Sequence, residues 1–274
     1  IGSRSYCNRR ERKMKNVILC CLLFSVFYLQ AEIRALWVPV WEITSAGKID
    51  TLFQDIAGQN FNQLLVQVRY RGDAAYVPNK IDDSFVNNEV RYHGIRDADF
   101  DPLSYILEKA EKQKIEVHAW LTTFIITGHD LTRLDSTHVY FQRPEWVTSN
   151  FTKISMKHND DVGAFLDPGI PAVQDYTLNV ILDIVTNYQL DGIHLDYIRY
   201  PGTYYGFNEL AKNTYKSEVK YQDAASWLRW KNDQITRFVA RVSLAAKEIS
   251  PNIKISAAVF PGVNEALEKY SQDW

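Results

Sequence analysis

Cysteine is scarce and confined to one end of the chain. The 274 residues contain three, Cys7, Cys20 and Cys21, and none follows. A chain that begins after Ala31 therefore has no disulfide, no thiolate metal site and no cysteine nucleophile. Net charge is equally slight, at −2, which gives no reason to expect nucleic acid or an anionic membrane surface as a partner. No glycine-rich phosphate loop follows the first apolar strand, and no His-x-His or His-Glu-x-x-His spacing occurs. Neither a cofactor nor a metal is expected on these grounds. A long hydrophobic span is also missing. The longest apolar run covers residues 17–29, short of the roughly 20 residues that cross a bilayer.

That run belongs to a different pattern. Met14-Lys15-Asn16 opens a short polar region, the apolar stretch follows, and Leu29-Gln30-Ala31 closes it with a small residue. This is the layout of a signal peptide and predicts export to the periplasm, the cell surface or the exterior. An uncleaved N-terminal anchor is the competing reading, and membrane contact is expected only through it. Residues 1–13 form a basic extension upstream of the internal Met14. The remainder, residues 32–274, suits one large domain. All seven Trp and fourteen of the sixteen Tyr fall within it, flat rings that suit sugar faces but also fill large cores. Asn150-Phe151-Thr152 is a glycosylation sequon, a weak signal when it occurs once.

Short apolar runs at residues 33–41, 64–69, 115–122, 192–198 and 253–260 read as strands. Segments of helical period lie between them. Ile49, Leu52, Phe53 and Ile56 share one helix face. Asp101-Pro102 reads as an N-cap with proline at the first helical position. Pro171 opens a helix with an apolar stripe of Val173, Tyr176, Val180, Ile181, Ile184, Val185 and Tyr188, and a further helix covers 223–249. Strict strand–helix alternation implies parallel strands, closed as a barrel or wound on both sides as an open sheet. The long insertions follow strands two, three and four, where a barrel carries its active-site loops. The expectation is an α/β fold of the (β/α)8 TIM-barrel type, represented by its first five strands and incomplete at the C-terminus.

Side chains alternate across a strand, so His194 and Asp196 share one face of the fourth strand. Ile193, Leu195 and Tyr197 share the other. Unpaired charge is costly between sheet and helices, so His194 and Asp196 are expected to face the barrel interior, with Asp196 nearer the catalytic rim. The same counting pairs His118 with Trp120, Gln67 with Arg69, and Ser256 with Ala258. Four adjacent strands thus offer polar or small groups inward, as the floor of a polar pocket would. Each candidate also has a plainer role: Asp196 could cap a loop, either histidine could be a bonded core residue, and Arg69 could hold a buried ion pair with Asp196 or Asp73. Trp120 and Trp41 could be core or sugar-stacking residues.

The run from Asp191 to Pro201, Asp-Gly-Ile-His-Leu-Asp-Tyr-Ile-Arg-Tyr-Pro, resembles the fourth-strand signature of the glycosyl hydrolase-like 10 family. Further matches fall in that family's order. They are Arg34-Ala35-Leu36-Trp37, Gln67-Val68-Arg69 with Gly72-Asp73, Asp101-Pro102-Leu103, Val117-His118-Ala119-Trp120-Leu121, Leu166-Asp167-Pro168-Gly169, Trp230 to Thr236 and Gln272-Asp273-Trp274. In the Trp230 segment Asn232 stands where the family has a second basic residue. The resemblance implies a TIM barrel and glycosidase-type action on a polysaccharide or a peptidoglycan-type glycan strand, with the second barrel half lying beyond this sequence.

Glycoside hydrolysis normally uses two carboxyl groups, one ionised and one protonated. Asp196 is the catalytic candidate for the ionised role, with Arg69 and the two histidines expected to hold its pKa down. Substrate-binding candidates are Arg69, Asp73, His118, Trp120, His194, Tyr197, Arg199 and Trp41. The proton donor is open: Asp73, Glu42, Glu265 or a carboxylate beyond Trp274. A non-catalytic glycan-binding barrel, a metal-dependent hydrolase using His118, His194 and Asp196, and a small-molecule lyase or isomerase are the alternatives.

Overall fold

The computed structural model describes residues 32–274. The upstream extension, the signal-type segment from Met14 to Ala31 and all three cysteines lie outside the described residues. Every strand and helix below falls within 35–274, which forms one compact unit.

The order is β1 (Ala35–Val38), α1 (Ala46–Ile56), β2 (Gln63–Tyr70), β3 (Asp73–Ala74), α2 (Pro102–Gln113), β4 (Glu116–Thr122), α3 (Val139–Gln142), α4 (Pro171–Asn187), β5 (Gly192–Asp196), α5 (Glu209–Glu218), α6 (Ala224–Ile249), β6 (Lys254–Ala257) and α7 (Val263–Tyr270). The five strands expected from the sequence are β1, β2, β4, β5 and β6. They lie side by side in chain order, each neighbouring pair parallel. The two-residue β3 only folds back antiparallel on β2. A doubly wound sheet must reverse its strand order at a switch point, and this one does not. The sheet is wound in one direction, as in a (β/α) barrel, with β1 and β6 at its edges.

Period-two alternation decides which face the helices cover. Val38, Leu64, Val66, Val117, Ala119, Leu121, Ile193 and Leu195 are all buried on the helix side. They pack with Ile49 and Phe53 of α1, Leu103 and Ile106 of α2, Val180 and Ile184 of α4, and Phe238 and Val242 of α6. Each of these Val, Leu, Ile and Phe side chains contributes roughly 1.5–3 kcal/mol by leaving water. Helix starts follow local chemistry. Ser45 accepts a hydrogen bond from Lys48 N at α1, and Asp101 accepts one from Ser104 N with Pro102 at the first helical position of α2. Asp223 and Ser226 form a reciprocal capping box at α6. Among the described residues no helix is long and apolar enough to cross a membrane.

Two local features break the alternation. A register shift between Gln67 and Arg69 pairs Gln67 with Trp120 but Arg69 with Leu121. One extra residue in β2 therefore turns Arg69 to the helix side. At the end of β5, Tyr197 takes a left-handed conformation (φ 51°), so the strand stops at Asp196 rather than at residue 198. The sequon is occupied internally: Asn150 Oδ1 accepts from Thr152 N, Thr152 Oγ1 and Ile154 N, and the residue is buried.

Candidate active site

Strand register stacks the inward side chains in layers. Trp37, Leu65, His118, Gly192 and Lys254 are in register. Above them come Gln67, Trp120, His194 and Ser256, and at the C-terminal rim Thr122 stands beside Asp196. Gly192 has a steric reason: a Cβ there would lie 2.5 Å from the His118 ring. Trp37, absent from the sequence candidates, meets Trp120 and His194 edge-on with ring centroids 4.7 Å apart in both cases. The alternation that placed Trp120 inward could have placed Trp37 too.

Asp196 is the focus of this layer. Its Oδ2 accepts from Trp120 Nε1 at 3.1 Å and its Oδ1 from Tyr197 N at 2.8 Å. The left-handed turn at Tyr197 thus aims a backbone N–H at the carboxylate. Burial pushes the Asp196 pKa above its ordinary value, and these two donors and the charges of Arg199 and Arg71 pull against that. The expected depression by Arg69 and the histidines is therefore corrected on both counts. His194 donates to or accepts from Ser256 Oγ at 2.8 Å, and burial brings its pKa down to about 4. His118 contacts Gln63 Nε2 at 2.9 Å, and burial lowers its pKa as well. Both rings are neutral near pH 7 and add no cation to the site.

Arg69 is the clearest displacement. Its guanidinium is fully buried on the helix side, binds both carboxylate oxygens of Glu89 and donates to the carbonyls of Thr122 and Thr123. Tyr176 of α4 donates to the same carboxylate at 2.7 Å. The carboxylate partner is thus Glu89, neither Asp196 nor Asp73. The bulge that removes Arg69 leaves Arg71, two residues on, at the mouth. Arg71 N donates to Thr122 Oγ1 at 2.7 Å, and its guanidinium holds the carbonyls of Thr127 and Val162. No strand-counting rule would have exchanged the two arginines, because the counting assumes an unbroken strand.

The remaining candidates separate into three places. Arg199 lies between the rings of Tyr270, Tyr197, Phe260 and Phe165, at 4.8–5.5 Å from their centroids. Trp41 sits half-exposed at the rim, edge-on to Tyr70 at 6.4 Å, which in turn meets Tyr92 at 5.7 Å. Asp73 lies on β3, buried, with Oδ1 lacking a hydrogen-bond partner and His138 Nε2 3.8 Å away. Burial, reinforced by the negative charge of Glu89, pushes the Asp73 pKa up to about 8. A carboxyl kept protonated at neutral pH is able to donate a hydrogen bond. Asp73 lines a cavity of 570 Å³ together with Tyr70, Arg71, Tyr92, Arg133 and Asp161. A second cavity of 830 Å³ runs past Trp41, Lys48 and Arg96 and shares Tyr92, His93 and Arg133 with the first. Among the described residues no three His, Cys, Asp or Glu side chains converge as metal ligands, so His118, His194 and Asp196 form no such set.

A family model described as Glycosyl hydrolase-like 10 matches residues 32–274. The chain is 25% identical over 218 residues to the glycosyl hydrolase YngK of Bacillus subtilis, covering 76% of this chain and 39% of that protein. It is 29% identical over 173 residues to the glycosyl hydrolase DigH of Escherichia coli K12, covering 58% and 36%. The chain thus spans under two fifths of the length of these relatives. Among solved structures, the PgaB glycoside hydrolase domain of Bordetella bronchiseptica aligns with a TM-score of 0.63 at 13% identity, over 89% of this chain and 70% of that one. An alpha-L-fucosidase isoenzyme of Paenibacillus thiaminolyticus aligns with a TM-score of 0.61 at 16% identity, over 83% and 32%. At these identities the likeness is one of fold.

Proposed function

The chain belongs to the glycosyl hydrolase-like 10 family, and from that premise we propose that it forms the first barrel half of an exported O-glycosyl hydrolase. Its substrate is a polysaccharide or peptidoglycan-type glycan, and Asp196 is its ionised carboxylate. One observation supports this most directly: a partly exposed carboxylate at the C-terminal end of a parallel strand, held by two N–H donors and favoured in its ionised form by the charges of Arg199 and Arg71. In a barrel that is where catalytic groups sit.

With both oxygens oriented, Asp196 can attack the anomeric carbon or draw a proton from the water that does. The arginines favour the ionised form against burial, and Trp37, itself edge-on to neutral His194, supports the Trp120 ring from the layer below. Export rests on the signal-type pattern from Met14 to Ala31.

Asp196→Asn in the full-length protein tests the assignment. The amide keeps the shape and the Tyr197 contact but cannot serve as nucleophile or base. Turnover of a glycan substrate should fall roughly 10³-fold or more, with the far-ultraviolet circular dichroism unchanged. Near-normal turnover in that variant rules the assignment out.

A further inference from the structure

We propose that Gln272 and Arg199 are positioning residues for Asp196. They fasten the turn after β5 to the segment after β6, and so hold the groups on that turn in place around the carboxylate. The inference rests on Asp196 as the catalytic carboxylate and adds what keeps it in its working orientation.

The turn itself creates the need for a fastener. Tyr197 donates its N–H to Asp196 Oδ1 at 2.8 Å while its backbone is left-handed, with φ 51°. Few non-glycine residues adopt that region, and a bulky one stays there only where its surroundings fix it. Left free, Tyr197 would relax to negative φ by one of two motions. Turning the peptide plane before it takes the N–H away from Oδ1. Swinging the chain after it carries off Arg199, which lies two residues on. The N–H and the Arg199 cation both favour ionised Asp196, so either motion disfavours that form.

Three successive residues beyond Tyr197 are tied to the β6 side. The carbonyl of buried Ile198 accepts from Gln272 Nε2 at 3.3 Å, across 74 residues of sequence. The same Nε2 donates to Ala258 O at 3.2 Å, and Gln272 Oε1 accepts from Phe260 N at 3.1 Å. Gln272 is itself buried, so one neutral amide bridges the two loops without water between them. Arg199 comes next. Its guanidinium lies 4.8 Å from the Tyr270 ring and 5.2 Å from that of Phe260, and these two rings are stacked 4.0 Å apart and within 5° of parallel. The guanidinium also lies 5.2 Å from the ring of Tyr197 itself. A planar guanidinium stacks on such rings, whereas an ammonium acts as a point charge. Tyr200 N completes the tie by donating to Tyr270 O at 3.0 Å.

The test follows the Asp196 carboxyl of the full-length protein by carbon-13 NMR as pH is varied, its signal identified by its loss in Asp196→Asn. The variants are Gln272→Leu, which removes the bridging amide, and Arg199→Lys, which keeps the charge and most of the volume and so should fold. Neither removes a charge that acts on Asp196, since those are Arg199 and Arg71, and burial keeps the histidines of the layers below neutral. A shift therefore reports geometry. The titration midpoint should rise by roughly half a unit or more in each variant. For a glycan substrate kcat should fall about tenfold with KM nearly unchanged. A role in stability alone would lower the melting temperature and leave the midpoint in place. An unmoved midpoint in either folded variant overturns the proposal. A moved midpoint beside an Asp196→Asn variant that keeps its turnover leaves the fastening intact and removes the catalytic assignment instead.

Discussion

Asp73→Asn is expected to stabilise the folded protein at pH 7.5 and to leave it almost unchanged at pH 4. In the folded chain burial and the Glu89 charge hold the Asp73 pKa up at about 8, against 3.8 for the free side chain. Below pH 3.8 the carboxyl is protonated in both states, and its contribution is fully present. As pH rises toward 8 the unfolded chain ionises while the folded one does not, so unfolding releases a proton and stability is lost. The slope is about 1.36 kcal/mol per pH unit. At pH 7.5 the gap from 3.8 is about 3.7 units, an upper bound of about 5 kcal/mol, which local relaxation would reduce. Asparagine resembles the protonated carboxyl in shape and never ionises. The unpartnered Oδ1 is common to both proteins and cancels. Paired thermal melts between pH 4 and 8.5 read the difference directly. At roughly 2–4 °C per kcal/mol for a domain of this size, the variant should gain several degrees at pH 7.5 and none at pH 4. A difference that does not vary with pH, or a variant less stable at pH 7.5, would refute the placement of Asp73 as a buried neutral acid.

Breaking the buried Arg69–Glu89 pair from one side, by Arg69→Met or by Glu89→Leu, should cost about 3–5 kcal/mol because the partner charge is stranded. The double variant should recover most of that loss, and urea titrations of the three proteins give the coupling. Trp120→Phe removes the indole N–H that favours ionised Asp196. The acidic limb of the kcat/KM profile should move to higher pH, while an unmoved limb would mean the bond does not act on the reacting carboxylate.

Legibility in the sequence followed the length scale of the interaction. Ile193, Leu195, His194 and Asp196 announced their faces because strand alternation is local, and Asp101-Pro102 announced the start of α2 because a cap involves only four residues. The family motifs located the fourth parallel strand by its residues alone. What could not be read was the side chain that meets each charged group across the fold. Arg69 gave no sign of Glu89, twenty residues away, and the exchange of Arg69 for Arg71 at the mouth hangs on one extra residue in β2. Asn150 matched a sequon, yet its side chain closes its own loop.

The sequence by itself determined a run of parallel strands, the direction in which each strand faces, and an aspartate at the end of the fourth, because apolar period and strand ends are written residue by residue. Tertiary structure decided the environment of that aspartate: two N–H donors, the charges of two arginines, and histidines kept neutral by burial. Charge interactions depend on burial and on distances between segments far apart in the chain, and those exist only once the loops have packed.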